Sequence, residues 1–206
     1  AYALQARRLM HAIWGAGQMA WTKMIVVVED DIDVHDEVAV MEALARNCDF
    51  RRDLEVVNGP LDILDHAAPR LGAGHKIGFD ATTAWTGEEV GGIPADPPPA
   101  AETASVENRL RDHLEQFDVP AWGHGRIVVI GVDKAHSGPG GGGEAITIAG
   151  DALPGWSGAI IVVDHSVDPT DMDMVLFHLV ANLDPGRDLH PDGCRMGFDG
   201  TSKMEG

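Results

Sequence analysis

The chain is poor in cysteine, aromatic residues and basic residues, and each shortage excludes a class of protein. Cys48 and Cys194 are its only cysteines among 206 residues, so neither a disulfide framework nor a zinc site is predicted. Aromatic residues make up 5% of the chain, and 15 basic against 33 acidic residues give a net charge of −18. This charge argues against sequence-independent binding of nucleic acid and against attachment to an anionic membrane.

Long apolar runs and targeting signals are also missing from the sequence. No apolar stretch is long enough to cross a bilayer, so no integral membrane segment is predicted. No signal peptide is visible, and we therefore expect a cytoplasmic protein.

An internal repeat is the strongest pattern that the sequence does contain. A shift of 135 positions places Ile25–Leu54 on Ile160–Leu189 without a gap. Lys76–Thr82 then matches Arg195–Thr201 after a deletion in the second copy. Repeats of this kind indicate a duplicated supersecondary unit. We predict two units, residues 1–117 and residues 118–206, of which the second is the shorter.

The spacing of apolar residues predicts the class of fold. Met24–Val28 is a β-branched run typical of a strand buried on both sides. Val40 and Leu44 then recur at helical spacing, and Leu54–Val57 reads as a second strand. Strand, helix and strand in this order predict an α/β fold, built here of duplicated βαβ-type units with mainly parallel sheets.

The second unit begins with a strand pattern at Arg126–Lys134, and the counterpart of this strand in the first unit would lie before Ala1. We therefore expect a fragment or processed piece that lacks its leading strand.

Residues 87–105 form a Pro-rich excursion, and Val106–Phe117 is predicted to be an amphipathic helix capped by Ser105. Gly138–Gly143 replaces the start of the first helix of the second unit, which we expect to be shortened or lost.

Candidate chemistry within the chain is sparse. The acidic run from Glu29 to Asp36 could bind a hard cation, but of its aspartates only Asp33 and Asp36 persist in the second unit, which favours helix capping. The paired patterns Asp49-x-x-Arg52-Asp53 and Asp184-x-x-Arg187-Asp188 suggest a charge-assisted clamp that serves the fold. No combination of nucleophile and base can be assembled, so no catalytic residue and no metal ligand is predicted.

Lys23 is the exception. It directly precedes a buried strand, where a lysine could hold a phosphate as a point charge. The second unit has Gly158 at this position, as expected for a site kept in one unit and lost from the other. A lysine side chain extending from the end of a strand is the alternative.

Three ordered segments carry a resemblance to a known family: Thr22–Asp33, Asn58–Asp65 and His75–Trp85. Together they resemble the C-terminal region of the UbiD-type prenylated-FMN decarboxylases. The second unit, with Asp168–Met174 and Asp184–Asp188, is similar to the C-terminal extension of the long members of this family.

The resemblance implies the C-terminal region of a non-oxidative decarboxylase of aromatic acids in ubiquinone or menaquinone biosynthesis. Its catalytic residues, its prenylated FMN and a divalent metal (Mn or Mg) would belong to an upstream flavin-binding domain. A flavin prenyltransferase would supply the cofactor, and the fragment alone would hold none. The region would provide contacts of a homo-oligomer and one wall of the active site.

By position, Lys23 matches the family's lysine that reaches the cofactor phosphate. Gly59, Pro60 and Leu61 correspond to a loop near the substrate pocket. A non-enzymatic α/β assembly or binding module is the alternative function.

Overall fold

The computed structural model describes residues 2–89, 92–94, 96, 99–138 and 140–203. Its helices are α1 (Gln5–Trp14), α2 (Glu37–Asn47), α3 (Thr103–Leu110), α4 (Lys134–Ser137), α5 (Gly141–Ala152), α6 (Met172–Asn182) and α7 (Pro185–Asp188). Its strands are β1 (Met24–Val27), β2 (Leu54–Pro60), β3 (Ala73–Asp80), β4 (Phe117–Asp118), β5 (Ile127–Val132), β6 (Gly158–Asp164), β7 (Leu189–Asp192) and β8 (Arg195–Asp199). Short 3-10 helices lie at Gly17–Trp21 and Ala121–Gly123.

The strands form two sheets, which confirms the predicted α/β class. The first has the order β1-β3-β2 and the second the order β4-β5-β6-β8-β7. In the first, β1 pairs in parallel with β3, and β2 pairs with β3 in the antiparallel sense. In the second, β5, β6 and β8 are parallel, whereas the outer strands β4 and β7 are antiparallel to their neighbours. Both sheets are therefore mixed, with parallel strands at the centre of the larger one.

Corresponding strands of the two sheets share one register. Met24 of β1 lies opposite Ile77 of β3, and Ala159 of β6 lies opposite Met196 of β8. These are positions that the predicted repeat matches with one another. The larger sheet differs by carrying β5, and β4 beyond it, on the outer side of β6.

Helices α2 and α6 begin as the sequence predicts, at aspartate caps. The side chain of Asp36 accepts a hydrogen bond from the Ala39 amide at 3.1 Å, and that of Asp171 accepts one from the Met174 amide at 3.2 Å. Each carboxylate satisfies an amide that has no partner within its helix and lies at the positive end of the helix dipole. The capping interpretation of Asp36 is therefore confirmed.

The helix predicted over Val106–Phe117 is present but begins and ends earlier in the chain. It begins at Thr103 with Glu102 as its N-cap, so Ser105 is inside the helix and does not cap it, and it ends at Leu110. Phe117 pairs with Ile130 in the larger sheet. Apolar residues three or four apart continued past the true end of the helix, and they could not show that the last one belongs to a strand. The described part of the Pro-rich excursion therefore stops before Thr103, and Pro97 and Pro98 lie outside the described residues.

The glycine segment does not remove a helix. Helix α5 runs for 12 residues from Gly141, so the expectation of a shortened or lost helix is wrong. A Cβ atom on Gly142 would lie 2.5 Å from both carboxylate oxygens of Asp199. Glycine is required there because β8 brings this carboxylate against the first turn of the helix.

One apolar core joins the two sheets. It contains Ile77 and Phe79 of β3, Ile161 and Val163 of β6, and buried side chains of α2 and α6. A separate cluster lies on the other face of the larger sheet, beneath α3 and α5, and a small one lies beneath α1. The described residues include no helix long and apolar enough to cross a membrane.

Arg126, just before β5, connects the two predicted units, residues 1–117 and 118–206, within this core. Its side chain is buried, and it donates hydrogen bonds to the carbonyl oxygens of Ala45 at 2.8 Å and Cys48 at 2.9 Å. These carbonyls lie at the C-terminal end of α2, where the helix dipole favours a positive charge. Burial lowers the pKa of the Arg126 guanidinium below its ordinary value.

We expect Arg126→Met to lower the free energy of unfolding by about 2–4 kcal/mol, because it leaves buried carbonyls without donors. Arg109→Met is the matched control. Arg109 also donates to carbonyls, of Ala152 at 3.2 Å and Pro154 at 3.1 Å, but at a more exposed helix end, and its loss should be below about 1 kcal/mol. Urea titration of both variants measures the difference, and equal losses would contradict the role given to Arg126.

Candidate functional site

Lys23 lies in a buried contact between the two units. Its side chain is 9% exposed, and its Nζ is 2.9 Å from Oδ2 of Asp65. The same Nζ donates to the carbonyl of Val180 in α6 at 3.1 Å. The ammonium group therefore neutralises a carboxylate of its own unit and binds the backbone of the other one.

The difference between Lys23 and Gly158 has an explanation in packing. A Cβ atom on Gly158 would lie 2.2 Å from the carbonyl oxygen of Arg126 and 2.5 Å from the Trp156 ring. No side chain fits at this position, because β5 runs beside it. In the first sheet no described strand takes the place of β5, so a lysine can be accommodated. The asymmetry that favoured a phosphate site is thus accounted for without a ligand.

The segment Gly59–Leu61 ends a strand. Strand β2 extends past the predicted Leu54–Val57, and Gly59 and Pro60 pair with Gly74 and Ala73 of β3. The next residue, Leu61, is 2% exposed, and its amide donates to the carbonyl of Gly72 at 2.9 Å. The proposed contact of these three residues with a substrate stays a prediction.

The predicted clamp is present after both helices. The amide of Asp49 donates to Oδ2 of Asp53 at 2.8 Å, and Nε of Arg52 donates to Oδ1 of Asp53 at 2.6 Å. After α6, the amide of Asp184 donates to Oδ2 of Asp188 at 2.7 Å, and Nε of Arg187 donates to Oδ1 of Asp188 at 2.7 Å. The charge-assisted bonds hold the turn that leads from helix to strand, which confirms its role in the fold.

An aspartate–histidine pair between the units was not predicted from the sequence. The buried carboxylate of Asp184 lies 2.9 Å from Nδ1 of His75 and accepts from the His75 amide at 3.1 Å. The Nε2 atom of His75 is 3.3 Å from the side-chain nitrogen Nδ2 of Asn58. An aspartate in this position orients the imidazole, but the imidazole then contacts the side-chain amide of Asn58 and not a nucleophile. We therefore assign it to the contact between the units.

The acidic run after β1 is engaged in local hydrogen bonds. Oε1 of Glu29 accepts from the Thr83 amide at 2.8 Å, and Oδ1 of Asp33 accepts from the His35 amide at 2.9 Å. Among the residues that the structure describes, no group of three or more histidine, cysteine, aspartate or glutamate side chains could hold a metal ion.

A cleft of about 360 Å³ opens at the C-terminal end of β1, between α1 and the segment after β3. Its walls include Tyr2, Leu9 and Trp85 together with the carboxylates of Glu29 and Glu88. The two oxygens of Glu88 accept from the amides of Leu4 at 2.8 Å and Trp85 at 2.6 Å. A cleft lined by carboxylates repels an anionic ligand.

Two aspartates at the ends of matching strands differ in their electrostatics. Burial raises the pKa of Asp80, at the end of β3, above its ordinary value, although Thr82 donates hydrogen bonds to it. Burial acts in the same sense on Asp199, at the end of β8, but hydrogen bonds from Thr201 and the charge of Lys203 outweigh it and lower its pKa. The Nζ atom of Lys203 is 3.3 Å from Oδ1 of Asp199.

Residues 1–81 and 99–196 match the family model of the 3-octaprenyl-4-hydroxybenzoate carboxy-lyase C-terminal domain. Because this match covers most of the chain, the protein belongs to that family.

Individual relatives match shorter parts of the chain. An uncharacterized protein of Archaeoglobus fulgidus is 42% identical over 88 residues, which are 42% of this chain and 18% of the relative. The chain thus spans less than a fifth of the length of this relative.

Several solved structures are similar at low identity. The closed form of vanillic acid decarboxylase from Sedimentibacter hydroxybenzoicus is 23% identical at a TM-score of 0.41, covering 54% of this chain and 24% of that one. An evolved dimeric form of the UbiD-class enzyme HmfF from Pelotomaculum thermopropionicum, in complex with prFMN, is 18% identical at a TM-score of 0.41, covering 74% and 40%. The 3,4-dihydroxybenzoic acid decarboxylase AroY of Klebsiella pneumoniae is 19% identical at a TM-score of 0.41, covering 64% and 35%.

The structure gives Lys23 partners other than a flavin phosphate. Lys23, the residue predicted to bind one, has its charge neutralised by Asp65 and its ammonium bound to Val180. The cleft beside β1 is acidic. The cofactor role of Lys23 stays a prediction, and the contact that the structure describes is one within the chain.

Asp80→Asn and Asp199→Asn should change stability in opposite directions at pH 7. The raised pKa of Asp80 means that its charged form opposes folding, so the neutral variant should gain roughly 1 kcal/mol. The lowered pKa of Asp199 means that its charge supports folding, so its variant should lose a similar amount, about 1 kcal/mol. Both differences should shrink as the pH falls toward about 3, where the carboxyl groups become protonated. Urea titrations across this pH range test the signs, and shifts in the same direction would contradict them.

Lys23→Met should lower the melting temperature of the chain without any flavin present, by roughly 2–8 °C for a loss near 1–2 kcal/mol. The reason is that the variant leaves the Asp65 carboxylate, whose side chain is only 12% exposed, without its cation. Thermal unfolding followed by circular dichroism measures the shift. In Lys23→Met with Asp65→Leu the loss should be partly recovered, since no charge is left without a partner. An unchanged melting temperature in Lys23→Met would count against the structural contact.

Proposed function

We propose that the chain acts as the C-terminal region of a longer UbiD-like decarboxylase of aromatic acids. The observation that carries this proposal is the family match over residues 1–81 and 99–196. The length of the Archaeoglobus fulgidus relative, of which the chain covers 18%, supports a role as one region of a larger protein. The catalytic residues of the proposed enzyme would lie outside this chain.

The proposed cofactor is prenylated FMN, with a divalent metal, held by an upstream flavin-binding domain and supplied by a flavin prenyltransferase. The HmfF structure, described as a complex with prFMN, is the named precedent. The chain would form one wall of the substrate pocket, for which the end of β2 at Gly59, Pro60 and Leu61 is our candidate.

The proposed pathway is quinone biosynthesis in the cytoplasm, and the proposed substrates are a prenylated 4-hydroxybenzoate or a dihydroxynaphthoate. The support is the 3-octaprenyl-4-hydroxybenzoate carboxy-lyase description of the matching family. We also propose that the protein arises from a duplicated unit, because β1 with β3 and β6 with β8 pair at matched residues.

A homo-oligomer is the proposed assembly. Helix α6 buries Val175 and Leu179 against the shared core, yet Phe177 on its other side is 65% exposed and Met174 is 43% exposed. A helix with large apolar side chains on two sides is normally covered on both of them. This exposed side of α6 is our candidate for a contact between subunits, and it also favours the alternative of an assembly module.

The experiment that tests the enzyme function compares two proteins: this chain, and the full-length gene product coexpressed with a flavin prenyltransferase. We expect the full-length protein to release CO₂ from at least one of the two proposed acids. The isolated chain should show no turnover above the uncatalysed rate, because catalysis here requires groups that it does not contain.

Three outcomes distinguish the candidates. Turnover by the isolated chain would contradict the absence of catalytic residues. A full-length protein that binds prenylated FMN but releases CO₂ only from other aromatic acids would overturn the quinone pathway alone. A full-length protein with neither flavin nor turnover would leave the assembly module as the function.

A further inference from the structure

Among the described residues no strand pairs with the outer edge of β1, which we call its free edge, and this edge is unlike the other outer edges of the two sheets. Strand β2 carries Glu55 and Pro60, and β7 carries Pro191 and Asp192. Strand β4 has only two residues. Charges, prolines and shortness are devices that prevent an edge from pairing with another chain. Strand β1 has the sequence Met-Ile-Val-Val and none of these devices.

Some backbone amides of β1 and of the residue after it are directed to this edge rather than to β3. The carbonyls of Lys23 and Val27 accept bonds from β3, from the amides of Ile77 at 2.9 Å and Ala81 at 2.8 Å. Because alternate residues of a strand direct their backbone groups to opposite sides, the amides of Val26 and Val28 point toward the free edge.

The larger sheet has a strand where the smaller one has this edge. Strand β6 matches β1, and β5 lies beside it in parallel, with Ile127 opposite Ala159 and Val129 opposite Ile161. The amides of Ala159 and His165 donate to the carbonyls of Arg126 and Val132, each at 2.9 Å. These amides belong to the same alternate set that is directed to the free edge in β1.

The two matched tryptophans give a second, independent indication. Trp156 is 5% exposed, and its Nε1 donates at 2.7 Å to the carbonyl of Gly125, just ahead of β5. Trp21, at the matching position before β1, is 49% exposed. Trp21 thus lacks the cover that the segment at Gly125 gives to Trp156.

We propose that the free edge of β1 binds an extended, apolar polypeptide segment in parallel, as β5 binds β6. The segment would pair from Met24 onward, because Lys23 carries a side chain where Gly158 carries none. Its alternate residues would resemble the Ile127–Val132 pattern, with backbone hydrogen bonds giving affinity and apolar side chains giving register. This proposal does not depend on the decarboxylase function.

The test supplies such a segment and measures hydrogen exchange. A copy of Ile127–Ala135 is fused directly ahead of Ala1, which keeps the spacing that β5 has from β6. We expect amide exchange of Val26 and Val28 to slow at least about tenfold, as for amides that gain a protected partner. The amides of Ile25 and Val27, which face β3, serve as internal references and should change less.

The matched control carries Val128→Pro and Ile130→Pro within the fused copy. Proline removes the amides that would donate to β1, so the control should leave exchange at Val26 unchanged. Equal slowing in both fusions would overturn the proposal, because the effect would not require strand pairing. No slowing in either fusion would overturn it as well. If the unfused chain is already protected at Val26 and has the mass of a dimer in light scattering, the occupant is a second copy, and the proposal is again overturned.

Discussion

The guanidinium group of Arg126 sits inside the apolar core with backbone carbonyls of α2 as its partners. A buried cation normally requires a carboxylate, yet here the partial negative charge of a helix end takes that place. The arrangement fixes where β5 of the larger sheet begins relative to helix α2 of the first unit. Two further contacts between the units depend on this placement. The Nζ atom of Lys23 donates to the carbonyl of Val180, and the imidazole of His75 pairs with the carboxylate of Asp184.

Matched cations repeat this device within each unit. Lys76 of β3 donates to the carbonyl of Ala20, and burial lowers its pKa. Arg195, at the matched position of β8, donates to the carbonyl of Leu153 at 3.0 Å. In each case a cation on a strand binds the end of the helical segment that precedes the neighbouring strand. Helix ends that would otherwise leave carbonyls unsatisfied are thus joined to the sheet.

The sequence predicted the features that depend on local chemistry. The cap at Asp36, the clamp at Arg52 and Asp53, and the strand at Met24 follow from residues close together in the chain. The pairing of His75 with Asp184 could not be predicted, because the two are far apart in sequence and neither belongs to a local motif. The partners of Lys23, Asp65 and the carbonyl of Val180, could not be predicted either, because only the packing of both predicted units defines them. The glycines of α5 were misread because the carboxylate that requires them comes from a distant strand.

The free edge of β1 also bears on how copies of the chain associate in solution. An apolar edge with free amides attracts any similar edge, whereas a net charge of −18 makes copies of the chain repel one another. At physiological ionic strength that repulsion extends over only about 8 Å. Added salt therefore removes the barrier to association and leaves the attraction between edges intact, so ionic strength controls how readily copies of this chain aggregate.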